Sequence, residues 1–210
     1  MFTFAARPHD MLSLSYQNKL IEAGVDEAGR GCLAGPVFAG AVILPKKYKN
    51  KWINDSKKLN EKQRDELRLE IELKAISWGV GSCSHIEIDD INILRASHVA
   101  MHRAIESLQK KPELLLIDGN RFKPYPNIPH HCLVKGDATF ASIAAASILA
   151  KTHRDEFMLK LHSRFPYYGW DKNKAYATRI HVEAIRKYGT CEFHRKSFHL
   201  KAFQTKLELA

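Results

Sequence analysis

The sequence lacks any long hydrophobic run. Its longest small or apolar stretches, residues 37–44 and 141–150, fall far below the roughly 18 to 20 residues that a bilayer crossing needs. The opening MFTFAARPHD has no basic region ahead of an apolar stretch, which is not the pattern of a signal peptide or a lipid anchor. We therefore expect a cytoplasmic protein with no membrane span.

Cysteine is also scarce. The four cysteines at 32, 83, 132 and 191 form no CxxC pair, so neither a zinc site nor a disulfide framework is indicated. Negative charge is in deficit, with 23 Asp and Glu against 33 Lys and Arg, and residues 151–210 alone hold 13 basic and 6 acidic side chains. Such a basic surplus commonly marks a polyanionic partner.

Alternating strand-like and helix-like segments predict an α/β domain. A glycine-rich stretch, residues 29–35, joins the first two strands and indicates a hairpin. Asn60, with Gln63 three residues later, is a helix-start signal. The predicted strands are 21–28, 37–44, 75–84, 113–118 and 131–135, and the predicted helices are 60–74, 91–109 and 139–162.

Four acidic residues lie where predicted strands end: Asp26, Glu27, Asp118 and Asp137. Any one of them could be a helix cap or a surface charge, but four at such junctions favour a site, because sites gather at strand ends in α/β sheets. Oxygen ligands without His or Cys at ligand spacing indicate a hard ion such as Mg²⁺ or Mn²⁺. Adjacent strand residues point to opposite faces, so Asp26 and Glu27 share one ion only if the strand bends or bulges.

Several blocks of the sequence resemble one known family, ribonuclease HII. The resemblance implies a ribonuclease H-like fold, in which a central mixed β-sheet is flanked by helices and followed by a C-terminal helical segment. Residues 1–162 would form the catalytic core, and the basic segment 163–210 would pack on it within one continuous domain. The blocks are GVDEAGRGCLAGPVFAGAVIL at 24–44, NDSKKL at 54–59, LLLIDGN at 114–120, KGDATFASIAAASILAKTHRD at 135–155 and HRKSF at 194–198.

The resemblance also implies an activity: a metal-dependent endonuclease that cuts the ribonucleotide-containing strand of RNA/DNA hybrids. It would also cut 5′ to a single ribonucleotide in duplex DNA, leaving 3′-hydroxyl and 5′-phosphate ends, with roles in ribonucleotide removal and RNA primer degradation. Asp26, Glu27, Asp118 and Asp137 match the family's metal-binding set, which would hold two Mg²⁺ or Mn²⁺ ions. Asp155 is excluded from the set, because eighteen helical residues would separate it from Asp137 by about 27 Å.

The resemblance also implies that a second group of residues recognises the ribonucleotide. The backbone of Gly29, Arg30 and Gly31 would sense the 2′-hydroxyl, the local difference between RNA and DNA. Tyr176 matches the family's tyrosine that stacks on the sugar at the junction. The family usually has glycine beside this tyrosine, whereas Ala175 and Ala177 flank it here, which predicts a stiffer or differently shaped loop. The alternative is a packing aromatic next to Tyr167, Tyr168 and Trp170.

Basic residues within the family blocks would contact phosphates as anchors that are independent of sequence. These are Lys57, Lys58, Lys151 and Arg195. The segment QTKLELA near the C-terminus lacks a terminal aromatic pair, so it gives a sliding-clamp contact little support. We expect a monomer whose partners are RNA/DNA hybrids and duplex DNA with embedded ribonucleotides.

Two alternatives remain open. Ribonuclease HIII has the same chemistry, but it normally carries an additional N-terminal domain, which the roughly twenty residues before Val25 are too few to form. A nucleic-acid-binding module without catalysis would act through its basic C-terminal third alone. The four acidic residues at strand ends argue against that module.

Overall fold

A five-stranded mixed sheet forms the centre of the molecule. The computed structural model describes residues 12–50, 52–53 and 59–198. In space the strands follow the order β3-β2-β1-β4-β5, with β1–β2 and β2–β3 antiparallel and β1–β4 and β4–β5 parallel. This mixed sheet with its helices confirms the predicted fold class. The strands are β1 Glu22–Ala28, β2 Val37–Ile43, β3 Ser77–Cys83, β4 Leu114–Asp118 and β5 His130–Leu133.

Six α-helices are seen in the described ranges. The first begins as the sequence predicts, because Asn60 and Gln63 form a capping box. The Asn60 side chain accepts the Gln63 N–H at 2.9 Å, and the Gln63 side chain accepts the Asn60 N–H at 3.0 Å. The helices are α1 Glu61–Lys74, α2 His85–Ile91, α3 Ile93–Glu106, α4 Ala141–Arg164, α5 Trp170–Asn173 and α6 Arg179–Tyr188.

The single helix predicted over 91–109 is wrong at its start. Asn92 adopts a φ of +67° and separates α2 from α3, because its side chain accepts the N–H groups of Leu94 and Arg95 at 3.0 and 3.2 Å and so caps a new helix. The α2 helix has its own capping box, formed by Ser84 and Glu87, and this sequence signal was overlooked.

Helices cover both faces of the sheet. On one face, α3 packs in a core cluster that includes Val25, Leu115 and Ile117, while α4 packs on the other face with Leu114 and Leu116. The sheet and α4 approach very closely: a Cβ at Gly24 would lie 2.2 Å from the backbone carbonyl carbon of Ser142. Small residues along α4 therefore allow tight contact between this helix and β1.

The C-terminal part of the described chain packs on α4 and on the loop after β1. Met158 and Leu161 of α4 share a core cluster with Tyr168, Trp170 and Ile185. Ala34 and His194 form an isolated antiparallel bridge that ties the last described residues to the loop after β1. No helix of the described ranges has the length and hydropathy needed to cross a membrane.

Candidate active site

The predicted acidic residues lie at one edge of the sheet. Strands β1, β4 and β5 are parallel, so their carboxyl ends meet there. The last pair between β1 and β4 is Val25 with Ile117, which makes Asp26 and Asp118 the next residues on neighbouring strands. Asp137 lies in the 3₁₀ turn that follows β5, and the N–H of its neighbour Gly136 donates to Asp118 Oδ1 at 2.7 Å.

Asp26 and Glu27 occupy opposite faces of β1. The strand pairs with β2 residue by residue as far as Ala28, without a bulge, so the bend that could bring both side chains to one ion is absent from the strand. Asp26 is 6% exposed, its Oδ1 accepts the Glu27 N–H at 2.7 Å, and Ser147 of α4 lies near enough to oppose the rise in its pKa. Glu27 instead lines a cleft on the α3 side.

The carboxylates at this edge repel one another. Burial, followed by the charge of Glu27, raises the pKa of Asp26 well above its usual range, and Asp118 adds to this increase. Burial also raises the pKa of Glu27, although the Arg30 guanidinium 2.8 Å away opposes the increase. Crowded, desolvated carboxylates of this kind are stabilised by an added cation.

The donor chemistry of this set fits a hard divalent ion, because every candidate ligand is a carboxylate oxygen. In residues 12–50, 52–53 and 59–198, however, no three His, Cys, Asp or Glu side chains converge closely enough to enclose one ion. The carboxylates would therefore have to move closer together around a bound ion.

A cleft of about 310 Å³ opens beside the acidic residues. Glu27 and Asp118 share its wall with Arg30, Asn120 and Arg121. Negative and positive side chains thus line the same cleft, which suits an anion held beside a cation. Asn120 and Arg121 were not predicted as site residues, although they lie only two and three positions after Asp118 in the chain.

Packing requires glycine at one of the two positions that flank Arg30 but not at the other. Gly29 is buried with a φ of +92°, and a Cβ there would lie 2.0 Å from Nε of Arg154. Gly31 is exposed, and a Cβ there would meet nothing within 4 Å. The packing of the chain therefore requires glycine at 29, whereas the surface at Gly31 is open to a ligand.

Tyr176 lies next to the loop that carries these glycines. Burial, followed by the nearby Cys32 thiol, raises the pKa of its hydroxyl. The residue is 42% exposed, and Nζ of Lys151 lies 5.8 Å from its ring centroid. Within the described part of the chain it makes no ring contact with Tyr167, Tyr168 or Trp170. Tyr168 and Trp170 stack on each other instead, with centroids 5.0 Å apart.

Ala175 adopts the backbone conformation expected of the glycine that it replaces. Its φ is +68°, in the left-handed region, and its carbonyl accepts the Leu33 N–H at 2.8 Å. The side chain of Asn173 also holds the Ala175 N–H at 2.8 Å. The loop therefore keeps its turn with alanine at this position.

The four basic residues predicted to contact phosphates differ in their exposure and contacts. Arg195 is only 2% exposed and donates to the backbone carbonyls of the loop after β1, so its prediction as a phosphate contact is wrong. Lys151 is partly exposed and forms an ion pair with Asp155 at 2.7 Å. Lys57 and Lys58 lie outside the described residues.

The comparisons with known proteins agree on one family. The model of the family Ribonuclease HII matches residues 23–205. A ribonuclease HII of Bacteroides thetaiotaomicron is 60% identical to the chain over 89% of its length and 94% of the relative. The ribonuclease H2 from Pyrococcus horikoshii OT3 is 26% identical with a TM-score of 0.70, covering 85% of this chain and 93% of that one. A Bst-RNase HIII in complex with Mn²⁺ shares the fold at 22% identity and a TM-score of 0.63, covering 86% of this chain and 65% of that one.

A mixed sheet with acidic residues at the carboxyl ends of its parallel strands, together with these likenesses, defines a nuclease of ribonuclease H-like fold. The chain belongs to the ribonuclease HII family. It is a hydrolase with the endoribonuclease activity of a ribonuclease H, which acts on RNA/DNA hybrids. Ribonuclease HIII and a binding module without catalysis are thereby set aside.

Proposed function

We propose that this ribonuclease H needs a divalent metal ion and also cuts duplex DNA on the 5′ side of a single embedded ribonucleotide, leaving 3′-hydroxyl and 5′-phosphate ends. One observation carries the proposal. The carboxylates of Glu27 and Asp118 line one cleft together with the glycine-flanked Arg30, and burial together with the charges of both raises the pKa of Asp26 beside them. Such enzymes would serve ribonucleotide removal and RNA primer degradation.

Asp26, Glu27, Asp118 and Asp137 would hold Mg²⁺ or Mn²⁺, with two ions as the expected complement. When bound, the ions supply an activated water and stabilise the departing 3′-oxygen. The carboxylates themselves bind and orient the ions, since no side-chain nucleophile is needed. Burial of Asp26 and the crowding of its neighbours support this role, because an ion would relieve both.

The residues around the loop after β1 would select the ribonucleotide. Gly29, Arg30 and Gly31 would bring backbone groups close to the 2′-hydroxyl, for which the open surface at Gly31 leaves room. Tyr176 would stack on the sugar at the junction, with its backbone N–H held by the Asn173 carbonyl at 2.8 Å. The exposed fraction of Tyr176 and its position against this loop support the assignment.

Phosphate contacts would come from Lys151 in the long helix and from Lys57 and Lys58 in the NDSKKL block. Lys151 places its ammonium group between the Tyr176 ring and Asp155, which suits a phosphate next to the stacked sugar. The proposed acidic set and Tyr176 belong to one chain, and so we propose that the protein acts as a monomer. The QTKLELA segment lies outside the described residues, and no clamp contact is proposed for it.

The test is incubation with a labelled duplex that carries one ribonucleotide, with Mg²⁺, with Mn²⁺ and with EDTA. We expect metal-dependent cleavage that maps to the 5′ side of the ribonucleotide and leaves a 3′-hydroxyl end. An all-DNA duplex of the same sequence is the matched control and should stay intact. Cleavage in EDTA, or at a site unrelated to the ribonucleotide, would contradict the proposal.

A further inference from the structure

Arg154 of α4 is a fully buried cation that touches two separate loops. Its residue is 0% exposed. Its Nε donates to the carbonyl of Pro36 at 3.1 Å and its Nη2 to that of Ala34 at 3.2 Å, while Nη1 donates to the carbonyl of Lys174 at 2.9 Å. We call residues 29–36 the glycine loop and residues 174–177 the tyrosine loop.

The two loops also contact each other above this guanidinium. The Leu33 N–H of the glycine loop donates to the Ala175 carbonyl at 2.8 Å, and the Cys32 thiol is close enough to the Tyr176 hydroxyl to add to the effect of burial in raising its pKa. Arg154 fills the space beneath Gly29, where a Cβ would clash with it. The guanidinium therefore fixes where the tyrosine loop sits relative to the glycine loop.

Arg195 provides a natural comparison, because it supports only the glycine loop. Its guanidinium donates to the carbonyls of Gly29 and Arg30 at 2.8 Å each and to that of Gly35 at 3.0 Å. Two buried cations thus hold the same loop, and of the two only Arg154 is hydrogen-bonded to the tyrosine loop.

We propose that Arg154 is a positioning residue that sets the Tyr176 ring at its distance from the glycine loop and thereby sets the selectivity for a ribonucleotide. This inference rests on the proposed role of Tyr176 in recognising the ribonucleotide. A planar guanidinium reaches three carbonyls in fixed directions, whereas a lysine ammonium is a point donor that cannot reproduce this geometry. A charge-conserving Lys substitution therefore tests geometry separately from charge.

The first test compares Arg154→Lys, Arg195→Lys and Arg103→Lys. Arg103 is a matched control, since it donates to the Ser82 carbonyl and to Glu87 away from both loops. For Arg154→Lys we expect kcat/KM on a duplex with one ribonucleotide to fall at least about tenfold, while the Kd for the all-DNA duplex changes less than about twofold. Arg103→Lys should match the wild type.

The same substitutions are then made in a Tyr176→Ala background. If Arg154 acts through Tyr176, Arg154→Lys should lower kcat/KM less than about threefold in this background. Arg195→Lys should lower kcat/KM by the same factor in both backgrounds. A fully additive loss for Arg154→Lys would overturn the inference. If Tyr176→Ala itself leaves cleavage unchanged, the proposed reading role of Tyr176 is wrong, and the next measurement decides on Arg154 alone.

That measurement is amide hydrogen exchange by mass spectrometry, which needs no substrate. Arg154→Lys should speed exchange in both the glycine loop and the tyrosine loop, Arg195→Lys in the glycine loop alone, and Arg103→Lys in neither. Unchanged exchange in the tyrosine loop of the Arg154 variant would contradict the inference. If thermal unfolding finds Arg154→Lys unfolded, Arg154→Gln, which buries no charge, takes its place in each assay.

Discussion

The acidic edge of the sheet and the layer beneath the two loops are built on opposite principles. At the edge, burial and the charges of Glu27 and Asp118 raise the pKa of Asp26, and burial and the charge of Asp118 raise that of Glu27. Beneath the loops, Arg154 and Arg195 are more deeply buried, yet each has three carbonyl acceptors. The two regions therefore suit different tasks. The crowded carboxylates would be stabilised by a bound cation, whereas the hydrogen-bonded arginines hold the loops in fixed positions for recognition.

A buried histidine pair extends the rigid layer to Tyr176. His181 Nδ1 lies 3.0 Å from the Tyr176 carbonyl, and its Nε2 accepts the Trp170 Nε1–H at 3.0 Å. His194 Nδ1 accepts the Cys191 N–H at 3.0 Å, and its Nε2 lies 3.3 Å from His181 Nε2. With both imidazoles neutral, His181 Nδ1–H donates to the Tyr176 carbonyl, and the single lone pair of His181 Nε2 is shared by the Trp170 Nε1–H and the His194 Nε2–H.

Asp118→Asn should have the largest effect, because it removes a carboxylate from the acidic edge. We expect the single-turnover cleavage rate on a ribonucleotide-containing duplex to fall about a thousandfold. Glu66→Gln, on an exposed position of α1, is the charge-matched control and should cleave as the wild type does. Unchanged turnover in Asp118→Asn would remove this residue from the metal-binding set.

Tyr176→Ala should have the next largest effect and should act on recognition. Loss of one stacking contact predicts a fall of about thirtyfold in cleavage at a lone ribonucleotide. Affinity for an all-DNA duplex, measured by fluorescence anisotropy, should hardly change. Tyr188→Ala is a control at another exposed tyrosine, and equal losses in both Tyr176 assays would give Tyr176 a packing role instead.

The histidine pair predicts a pH dependence of stability. Burial, followed by the charge of His181, lowers the pKa of His194 to about 4 from its ordinary 6.5. The unfolded chain thus takes up a proton below about pH 6.5 that the folded chain refuses until about pH 4, so stability is full above pH 6.5 and is lost as the pH falls. We expect a loss of about 3 kcal/mol from this residue between pH 7 and 4.

Urea unfolding at a series of pH values measures this loss. His194→Gln removes the titrating group, so its unfolding free energy should fall less steeply with decreasing pH than that of the wild type. The distant carboxylates titrate in both proteins and cancel in the comparison, whereas His181 lies 3.3 Å from His194, so the measured difference belongs to the histidine pair. Parallel pH profiles for the two proteins would mean that His194 is not held neutral.

Ala175→Gly should have the smallest effect. Glycine would remove the left-handed strain of about 1 to 2 kcal/mol, but it would also lose a buried methyl, worth about 0.8 kcal/mol, and add chain entropy of similar size. We expect the unfolding free energy to change by less than about 1 kcal/mol. A larger gain in thermal or urea unfolding would show that alanine strains the tyrosine loop.

Local sequence signals predicted much of the fold. The capping box at Asn60, the hairpin of β1 and β2 and the acidic residues at strand ends all depend on neighbours in the chain or on strand periodicity. The break at Asn92 was missed because the apolar spacing continues through it, whereas a side-chain cap decides the backbone there.

Long-range burial was the part that sequence reasoning could not supply. Arg195 was predicted to contact phosphate because it is a basic residue within a family block, but its acceptors lie about 160 residues earlier in the chain. The role of Arg154 is equally invisible, because its carbonyl partners in the two loops are brought together only by the packing of α4. Charge alone does not distinguish a phosphate contact from a buried support.

We assign cleavage to the acidic edge of the sheet, and recognition of the ribonucleotide to the glycine loop and Tyr176. The most direct test of this assignment is the binding selectivity of the Asp118→Asn variant in Mg²⁺. Its Kd is measured for a duplex with one ribonucleotide and for the all-DNA duplex of the same sequence. Since the glycine loop and Tyr176 are intact in this variant, we expect it to bind the ribonucleotide duplex about tenfold more tightly although it does not cut it. Equal affinity for the two duplexes would contradict the account, because recognition would then depend on the acidic edge.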